Sequence, residues 1–220
     1  MDFNTGSGGT EGSGGSSSGP GGGSPRAAAS TGGEFDYRDP VQSFISTVRN
    51  VVTAPAGFFR GIVGHTDLVN PLIFAIICSL ITAILVALLG LIGVGERTFG
   101  SLLGGLLFIP ISVAIGLFIG AGIFHLLVML IVGSRNAGFA GTFRVAAYSS
   151  VTSLVSWIPI IGFIASLYGL YLAIVGLREV HNTSTGKAVI IVLLPSIVIL
   201  LLVLLIVGAA LLVLFGASQG

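Results

Sequence analysis

Four long apolar stretches without any Asp, Glu, Lys or Arg constrain this chain more than any other feature. They are Pro71 to Val94, Leu102 to Val132, Val145 to Leu177 and Ala188 to Phe215. The first matches a hydrocarbon core ~30 Å thick at ~1.5 Å per helical residue. Each stretch is rich in Leu, Ile, Val and Phe, which favour insertion by roughly 0.3–0.6 kcal/mol per residue. The pattern therefore predicts helices that cross a membrane.

The composition agrees with lipid as the solvent. Charged residues make up 8% of the chain and apolar residues 54%, whereas a soluble domain carries roughly 25% charged residues. A net charge of +1 provides no basic face, which argues against a nucleic-acid partner. The one cysteine, Cys78, rules out an internal disulfide.

The N-terminal region, residues 1–38, is predicted to be a disordered cytosolic tail. Residues 4–33 are mostly Gly and Ser and have almost nothing to bury, so no apolar gain offsets the entropy of ordering them. A basic region followed by an apolar core is missing, which argues against a signal peptide. The tail is either an inert solvated segment or a flexible tether that binds a partner.

Residues 39–66 are predicted to form an amphipathic segment in the lipid headgroup region. Asp39 and Pro40 fit a helix start, and Pro55 fits its end. Apolar residues recur at helical spacing between them, and polar residues occupy the opposite face. The alternative is a helix packed on a small soluble subdomain, for which the chain offers little other sequence.

The third apolar stretch decides how often the chain crosses the membrane. As one helix, Val145–Leu177 would be ~50 Å long, which exceeds one crossing. Its middle, SWIPIIG at 156–162, carries turn residues and a tryptophan, which prefers the membrane boundary. With a hairpin there, Arg60, Arg135, Arg144, Arg178 and Lys187 lie inside and Arg97 lies outside, whereas a single span divides these six cations equally. The positive-inside rule therefore favours five spans.

The predicted fold is an all-α integral membrane protein with five transmembrane helices, an N-terminal interfacial helix and a disordered tail. The membrane domain is predicted over 67–217, with spans at about 71–94, 105–132, 143–157, 160–177 and 188–215. The N-terminus is expected in the cytosol and the C-terminus outside.

This order of segments resembles the Yip family, the Ypt/Rab-interacting five-span membrane proteins, in its bacterial branch. DLVNP, from Asp67 through Leu68 to Pro71, precedes the first span and is similar to the Asp-Leu-Tyr-Gly-Pro motif of eukaryotic members. GLREVHNTSTGKAV, with His181 and Lys187, resembles the loop before the last span of bacterial members. The resemblance covers roughly residues 40–215.

The resemblance implies a non-enzymatic adaptor located in the bacterial cytoplasmic membrane. Eukaryotic members engage small GTPases and one another, but the Gly/Ser tail is unlike their cytosolic domain, which argues against a GTPase partner here. The expected partners are membrane lipid and other membrane proteins, including a second copy of the chain. Asp67, Leu68, Pro71, His181 and Lys187 are the candidate partner-binding residues.

The sequence shows no pattern of residues typical of a catalytic or metal-binding site. His65, His125 and His181 lack metal-ligand spacing, so neither a metal nor a cofactor is expected. His125, inside the second span, either gates a proton or headgroup or hydrogen-bonds a neighbouring helix, and the second interpretation is favoured. Gly116 and Gly120 are spaced for close helix packing, within the chain or between copies, although glycine is generally frequent in membrane helices.

The sequence is compatible with three hypotheses about function. The preferred hypothesis is a membrane scaffold or adaptor that organises the membrane or its proteins. The alternative is a small transporter or lipid-moving protein, for which His125 and the helix-interrupting Pro110, Pro159 and Pro195 are the available features. An intramembrane enzyme is the weakest hypothesis, since no carboxylate lies in the spans.

Overall fold

The computed structural model describes residues 33–91 and 99–217. The described chain is helical, with seven α-helices and one 3₁₀ segment. Their bounds are α1 Pro40–Thr53, α2 Pro55–Gly61, α3 Val69–Leu91, α4 Phe99–Ile131, α5 Gly138–Ser149, the 3₁₀ segment Ser150–Val155, α6 Pro159–Val180 and α7 Thr185–Ala217. Most of the predicted tail, residues 1–32, lies outside the described residues.

Prolines set several of the helix starts. Pro40, Pro55 and Pro159 each occupy the first turn of a helix, where a missing N–H costs nothing and the fixed φ is already helical. Asp67 starts α3: its carboxylate accepts hydrogen bonds from the backbone N–H groups of Val69 and Asn70, both at 3.0 Å. These contacts satisfy donors that the first helical turn leaves free.

In the described ranges, four helices are long and apolar enough to cross a membrane: Val69–Gly90, Phe108–Ile131, Pro159–Val180 and Thr185–Leu211. Their positions agree with four of the predicted spans. The fifth predicted span, 143–157, coincides with α5 and the 3₁₀ segment, which do not meet that criterion. The predicted break is present, since the chain turns at 156–158 between the 3₁₀ segment and α6.

The helices form a bundle whose polar groups gather at one end. Interhelical hydrogen bonds bring together the start of α3, the last turns of α4, the start of α5, and the junction of α6 with α7. We call this the polar end, and we call the end that holds the 156–158 turn the opposite end. Successive helices from α3 to α7 therefore run alternately away from the polar end and back to it.

The packed core lies towards the polar end. Phe74 and Tyr148 have ring centroids 5.2 Å apart, and Phe58 packs edge-on against Tyr148 at 5.0 Å. Helix α7 leaves the other helices after its first turns, and every residue from 196 to 207 is exposed. Within the described residues, α7 therefore contributes to the core mainly through its first turns, where Ala188, Ile191 and Val192 are buried.

Residues 33–38 belong to the packed bundle, although the sequence assigns them to the disordered tail. The Phe35 side chain is buried and packs against Phe74, with ring centroids 5.9 Å apart. The backbone N–H of Tyr37 donates to the side-chain oxygen of Asn70 at 3.1 Å. The prediction missed this segment because Gly and Ser dominate its surroundings in sequence, and one buried phenylalanine hardly changes the average composition.

Helix α1 lies along the bundle rather than apart from it. Ser43 and Thr47, which the sequence places on the polar face, are buried, and their hydroxyls donate to backbone carbonyls, that of Thr47 to Gly33 at 3.1 Å. Val41 and Ile45 are exposed instead. The short α2 returns towards the polar end, and its Phe58 and Phe59 are buried.

Gly162 allows the tight turn that separates the 3₁₀ segment from α6. A Cβ at this position would lie 2.3 Å from the Ser156 carbonyl oxygen, which belongs to the backbone and has little freedom to move. We predict that Gly162→Ala destabilises the bundle by about 1–3 kcal/mol, the usual cost of overpacking. A lower melting temperature of the purified protein in detergent would show this.

Gly122→Ala is the matched control, because nothing lies within 4 Å of a Cβ built at that helical glycine. Alanine there should leave the melting temperature unchanged or raise it, given its higher helix propensity. Equal melting temperatures for the two variants would contradict the proposed role of Gly162.

Candidate functional site at the polar end

The Arg144 guanidinium is the centre of the polar end. It projects from α5 and is 2% exposed. Its Nη1 donates to the backbone carbonyl of Asp67, and its Nη2 forms an ion pair with the Glu34 carboxylate. Arg144 therefore connects α5 to the start of α3 and to the segment before α1. Charge-assisted hydrogen bonds of this kind are the strong ones in proteins.

Two further donors complete the surroundings of Glu34. The Tyr148 hydroxyl donates to Oε1 at 2.6 Å, and His65 Nδ1 lies 2.8 Å from Oε2. His65 Nδ1 also lies 3.5 Å from Arg144 Nη2, but both nitrogens can act as donors and the carboxylate contact is much shorter. We therefore assign the proton to Nδ1, donating to Glu34. The carboxylate thus receives donors from three side chains.

A second network links α4, α5 and the end of α6. The backbone N–H of Ala137 donates to His181 Nδ1 at 3.1 Å, so neutral His181 carries its proton on Nε2. Nε2 then donates to Thr142 Oγ1 at 3.0 Å, and the Thr142 hydroxyl donates to His125 Nδ1 at 3.1 Å. His125 is thus hydrogen-bonded to α5 and, through Thr142, connected to the end of α6.

An ion pair at the surface connects α2 to α6. Arg60 Nε lies 3.0 Å from Glu179 Oε2, and Arg178 pairs with the same carboxylate. The Arg60 side chain is 66% exposed, so water screens this pair and its contribution to stability is small. It orients α2 on α6 but does not build a reactive site.

The predicted partner-binding residues fall into accessible and inaccessible groups. Asp67 and Lys187 are exposed, although the Asp67 carboxylate is engaged in capping α3. Leu68 is half-buried against the core, while Pro71 and His181 are buried. His181 therefore has an internal structural role in this chain.

The predicted packing glycines make no close contact within the described chain. Nothing lies within 4 Å of a Cβ built at Gly116 or Gly120. Both lie in the part of α4 where Ile115 and Ile119 are exposed. Close packing of this face inside the bundle is not observed, so contact with another chain is the interpretation that stays open.

Sequence reasoning missed the residues at the centre of this end. It treated Arg144 as a flanking charge at a membrane boundary, and it placed Glu34 in a disordered tail. The available signal was weak: Arg144 and Tyr148 are four residues apart, which places them on the same face of a helix. Nothing in the sequence indicates a partner that lies 110 residues away from Arg144.

An apolar cavity of about 330 Å³ lies beside α1, away from the polar end. It is bounded by α1, the 3₁₀ segment and the first half of α6, and Val52, Val155 and Tyr168 are among its lining residues. Its only polar lining side chains are the hydroxyls of Thr152 and Tyr168, and the Tyr168 hydroxyl donates to the Val52 carbonyl at 2.6 Å. This cavity has none of the convergent polar groups that mark a catalytic site.

Among the described residues, no group of three His, Cys, Asp or Glu side chains could hold a metal ion. Two buried serine hydroxyls, those of Ser149 and Ser153, lack hydrogen-bond partners. A nucleophilic serine requires a base within hydrogen-bond reach. Among the described residues, the polar end consists of helix caps, ion pairs and interhelical hydrogen bonds.

Burial lowers the pKa of His181 to about 4, from an ordinary 6.5, and nearby His125 adds to the shift. The unfolded chain therefore binds a proton at this position more readily than the folded chain between pH 6.5 and pH 4. Folding stability should rise with pH across that window, by about 1.4 kcal/mol per unit of pKa difference at most. The melting temperature of the wild type should accordingly fall as the pH is lowered from 6.5 to 4.

His181→Gln removes this titration and keeps an amide that can form hydrogen bonds. Its melting temperature should depend less on pH between 6.5 and 4 than that of the wild type, even if it is lower throughout. If the melting temperatures of the two proteins fall equally as the pH is lowered from 6.5 to 4, His181 is not the group responsible for the pH dependence.

The comparison with known proteins agrees with the helical membrane architecture. The model of the Yip1 domain matches residues 49–207, from the middle of α1 to the outer part of α7. Neither a curated protein nor a solved structure gives a significant match to this chain. Glu34 precedes the matched region, whereas Arg144, His65 and Tyr148 lie within it. Because the match covers well over half of the chain, the protein belongs to the Yip1-domain family of membrane proteins.

Proposed function

We propose that this protein is a non-enzymatic membrane scaffold that holds other membrane proteins against its outer helices. The proposal rests on the exposure of the outer part of α7. Residues 196–207 are all exposed, so among the described residues this part of the helix adds little to the packing of its own bundle. Such a helix is available to transmembrane helices of partner proteins.

Helix α4 supplies the second part of the partner surface. Gly116 and Gly120 have open space above them and lie one turn apart on α4. Small residues with this spacing allow the backbone of another helix to approach closely, and van der Waals packing then drives association in lipid. A membrane protein, including a second copy of this chain, is the partner that fits.

The five-span topology belongs to this proposal. Helix α5 has 12 residues and the 3₁₀ segment has six, so together they extend ~30 Å at ~1.5 and ~2.0 Å per residue. That length matches one hydrocarbon core. Seven of the 12 residues of α5 are buried by neighbouring helices, so this element does not need the hydropathy of a lipid-facing span.

The orientation follows from charge. Arg60, Arg135, Arg144, Arg178 and Lys187 are all at the polar end, and by the positive-inside rule we expect that end in the cytosol of a bacterial cell. Exposed Val41 and Ile45 in the first half of α1 would contact lipid near the cytosolic surface. The Gly/Ser-rich N-terminal region and the exposed Asp67 and Lys187 would face cytosolic partners.

A topology experiment tests the number of crossings. We expect a phosphatase reporter after Gly220 to be active outside the cytosol, and a fluorescent reporter before Met1 to fluoresce inside it. A fusion in the 133–137 loop should report the cytosol, as the paired control. An internal location for both termini would reduce the count to four and remove the five-span proposal.

Photo-crosslinking in native membranes tests the partner surface. A photoreactive amino acid at Leu204 or Ile119, which are 59% exposed each, should give discrete crosslinked protein bands that mass spectrometry identifies reproducibly. The control position is Tyr37, which is similarly exposed but lies outside the candidate spans. Crosslinks to lipid alone from both helix positions would argue against a scaffold.

One observation favours a second candidate function, a small transporter or lipid-moving protein. The His181–Thr142–His125 chain of hydrogen bonds leads from the polar end into α4, and histidine chains can carry protons. Liposomes containing the protein should then show solute flux or lipid scrambling that His125→Ala abolishes. If neither process exceeds that of protein-free liposomes, this second function is excluded.

A further inference from the structure

The surroundings of Glu34 have the composition of an anion-binding site. Arg144 Nη2, Tyr148 Oη and His65 Nδ1 all point at one carboxylate, with the latter two at 2.6 and 2.8 Å. All three donors lie in the region that matches the family model, whereas the carboxylate lies outside it. The donors thus belong to the bundle, and the acceptor arrives on a separate short segment.

The site has more donor capacity than the carboxylate uses. Arg144 Nε is fully buried and has no hydrogen-bond partner, although an arginine carries five N–H donors in a rigid fork. A carboxylate presents two oxygens, and both are already engaged. A phosphate group presents more oxygens around a tetrahedral centre, so one oxygen can accept from Arg144 Nη2 while another accepts from a further donor.

The position of the site suits a phosphate at a membrane surface. Asp67, whose carbonyl holds Arg144, lies two residues before the first candidate span begins at Val69. Headgroups lie at that level, just outside the hydrocarbon core. The His65 side chain is 38% exposed, so the site opens to its surroundings beside this ring.

The segment that delivers Glu34 is held by one buried phenylalanine and a small set of hydrogen bonds. Besides the carboxylate itself, Phe35 is buried and packs against Phe74. The backbone N–H groups of Asp36 and Tyr37 donate to Ser43 Oγ and Asn70 Oδ1, each at 3.1 Å, and the hydroxyls of Ser43 and Thr47 donate to the carbonyls of Asp36 and Gly33 at 2.9 and 3.1 Å. A few contacts of this kind can be released locally while the helices stay folded.

We propose that Arg144, His65 and Tyr148 form a binding site for an anionic phosphate group, and that Glu34 occupies this site as an internal competitor. The phosphate is either the headgroup of an anionic phospholipid or free phosphate. Binding displaces the Glu34 carboxylate and frees residues 33–38 from the bundle. The phosphate-site proposal requires the membrane location of the bundle but not its scaffold role. The phosphate site and the scaffold role can therefore be refuted independently.

Hydrogen–deuterium exchange of the wild-type protein tests the displacement. The protein is placed in nanodiscs of phosphatidylcholine alone, of phosphatidylcholine with phosphatidylglycerol, or of phosphatidylcholine with inorganic phosphate in the buffer. We expect the amides of residues 34–38 to exchange faster with phosphatidylglycerol if a lipid headgroup is the ligand, or with inorganic phosphate if the free ion is. Equal exchange under all three conditions would overturn the proposal.

Glu34→Gln provides a second measurement, because it keeps the shape of the side chain and removes its charge. Native mass spectrometry should show this variant retaining the phosphate ligand about tenfold more tightly than the wild type, as expected for one charge-assisted contact. Adding Tyr148→Phe should reverse part of that gain.

Glu179→Gln is the matched control. Glu179 is another carboxylate near the polar end that pairs with arginines, but it lies outside the proposed site. An equal gain in binding for both Gln variants would mean that only net charge matters, and the proposed site would then be refuted. If Glu34→Gln does not fold, the exchange experiment on the wild type still decides.

Discussion

A guanidinium that is withdrawn from water must find its acceptors inside the protein, and this requirement organises the polar end. Arg144 obtains one acceptor from the backbone just before α3 and another from Glu34. Removing one partner of a buried ion pair typically costs about 3–5 kcal/mol, since the remaining charge is left uncompensated. The contacts of Arg144 therefore fix the segment before α1, the start of α3 and α5 relative to one another.

The hydrogen-bond network of His181, Thr142 and His125 extends the same arrangement across the polar end. The ion pair between α2 and α6 does so as well. In each case a polar group from one helix meets a polar group or backbone atom from another, which is how helices gain specific contacts where lipid removes the hydrophobic drive. The aromatic cluster around Tyr148 fills the space directly beneath them. The bundle is therefore specified at one end, while the outer parts of α4 and α7 extend into lipid with little internal constraint.

Hydropathy and turn chemistry were sufficient to predict the long apolar helices and the break before Pro159, whereas the family was indicated by the order of the segments together with the DLVNP and GLREVHNTSTGKAV motifs. They could not reveal that α5 is buried: its Thr142, Arg144 and Tyr148 look polar in sequence, but neighbouring helices shield them. They also placed Ser43 and Thr47 on the solvated side of α1, because periodicity identifies faces without showing what covers each face. Glu34 and Arg144 are 110 residues apart, so their pairing depends on the completed tertiary structure.

The separation of α7 from its bundle beyond Ser196 has a consequence for how this protein can vary. Side chains in that region meet acyl chains or partner helices, so hydrocarbon volume and length constrain them, and interlocking shapes inside the chain do not. Leucine, isoleucine and valine should thus replace one another there almost freely. Substitutions in this helix would therefore change the surface that the protein presents to the bilayer well before they changed how the protein folds.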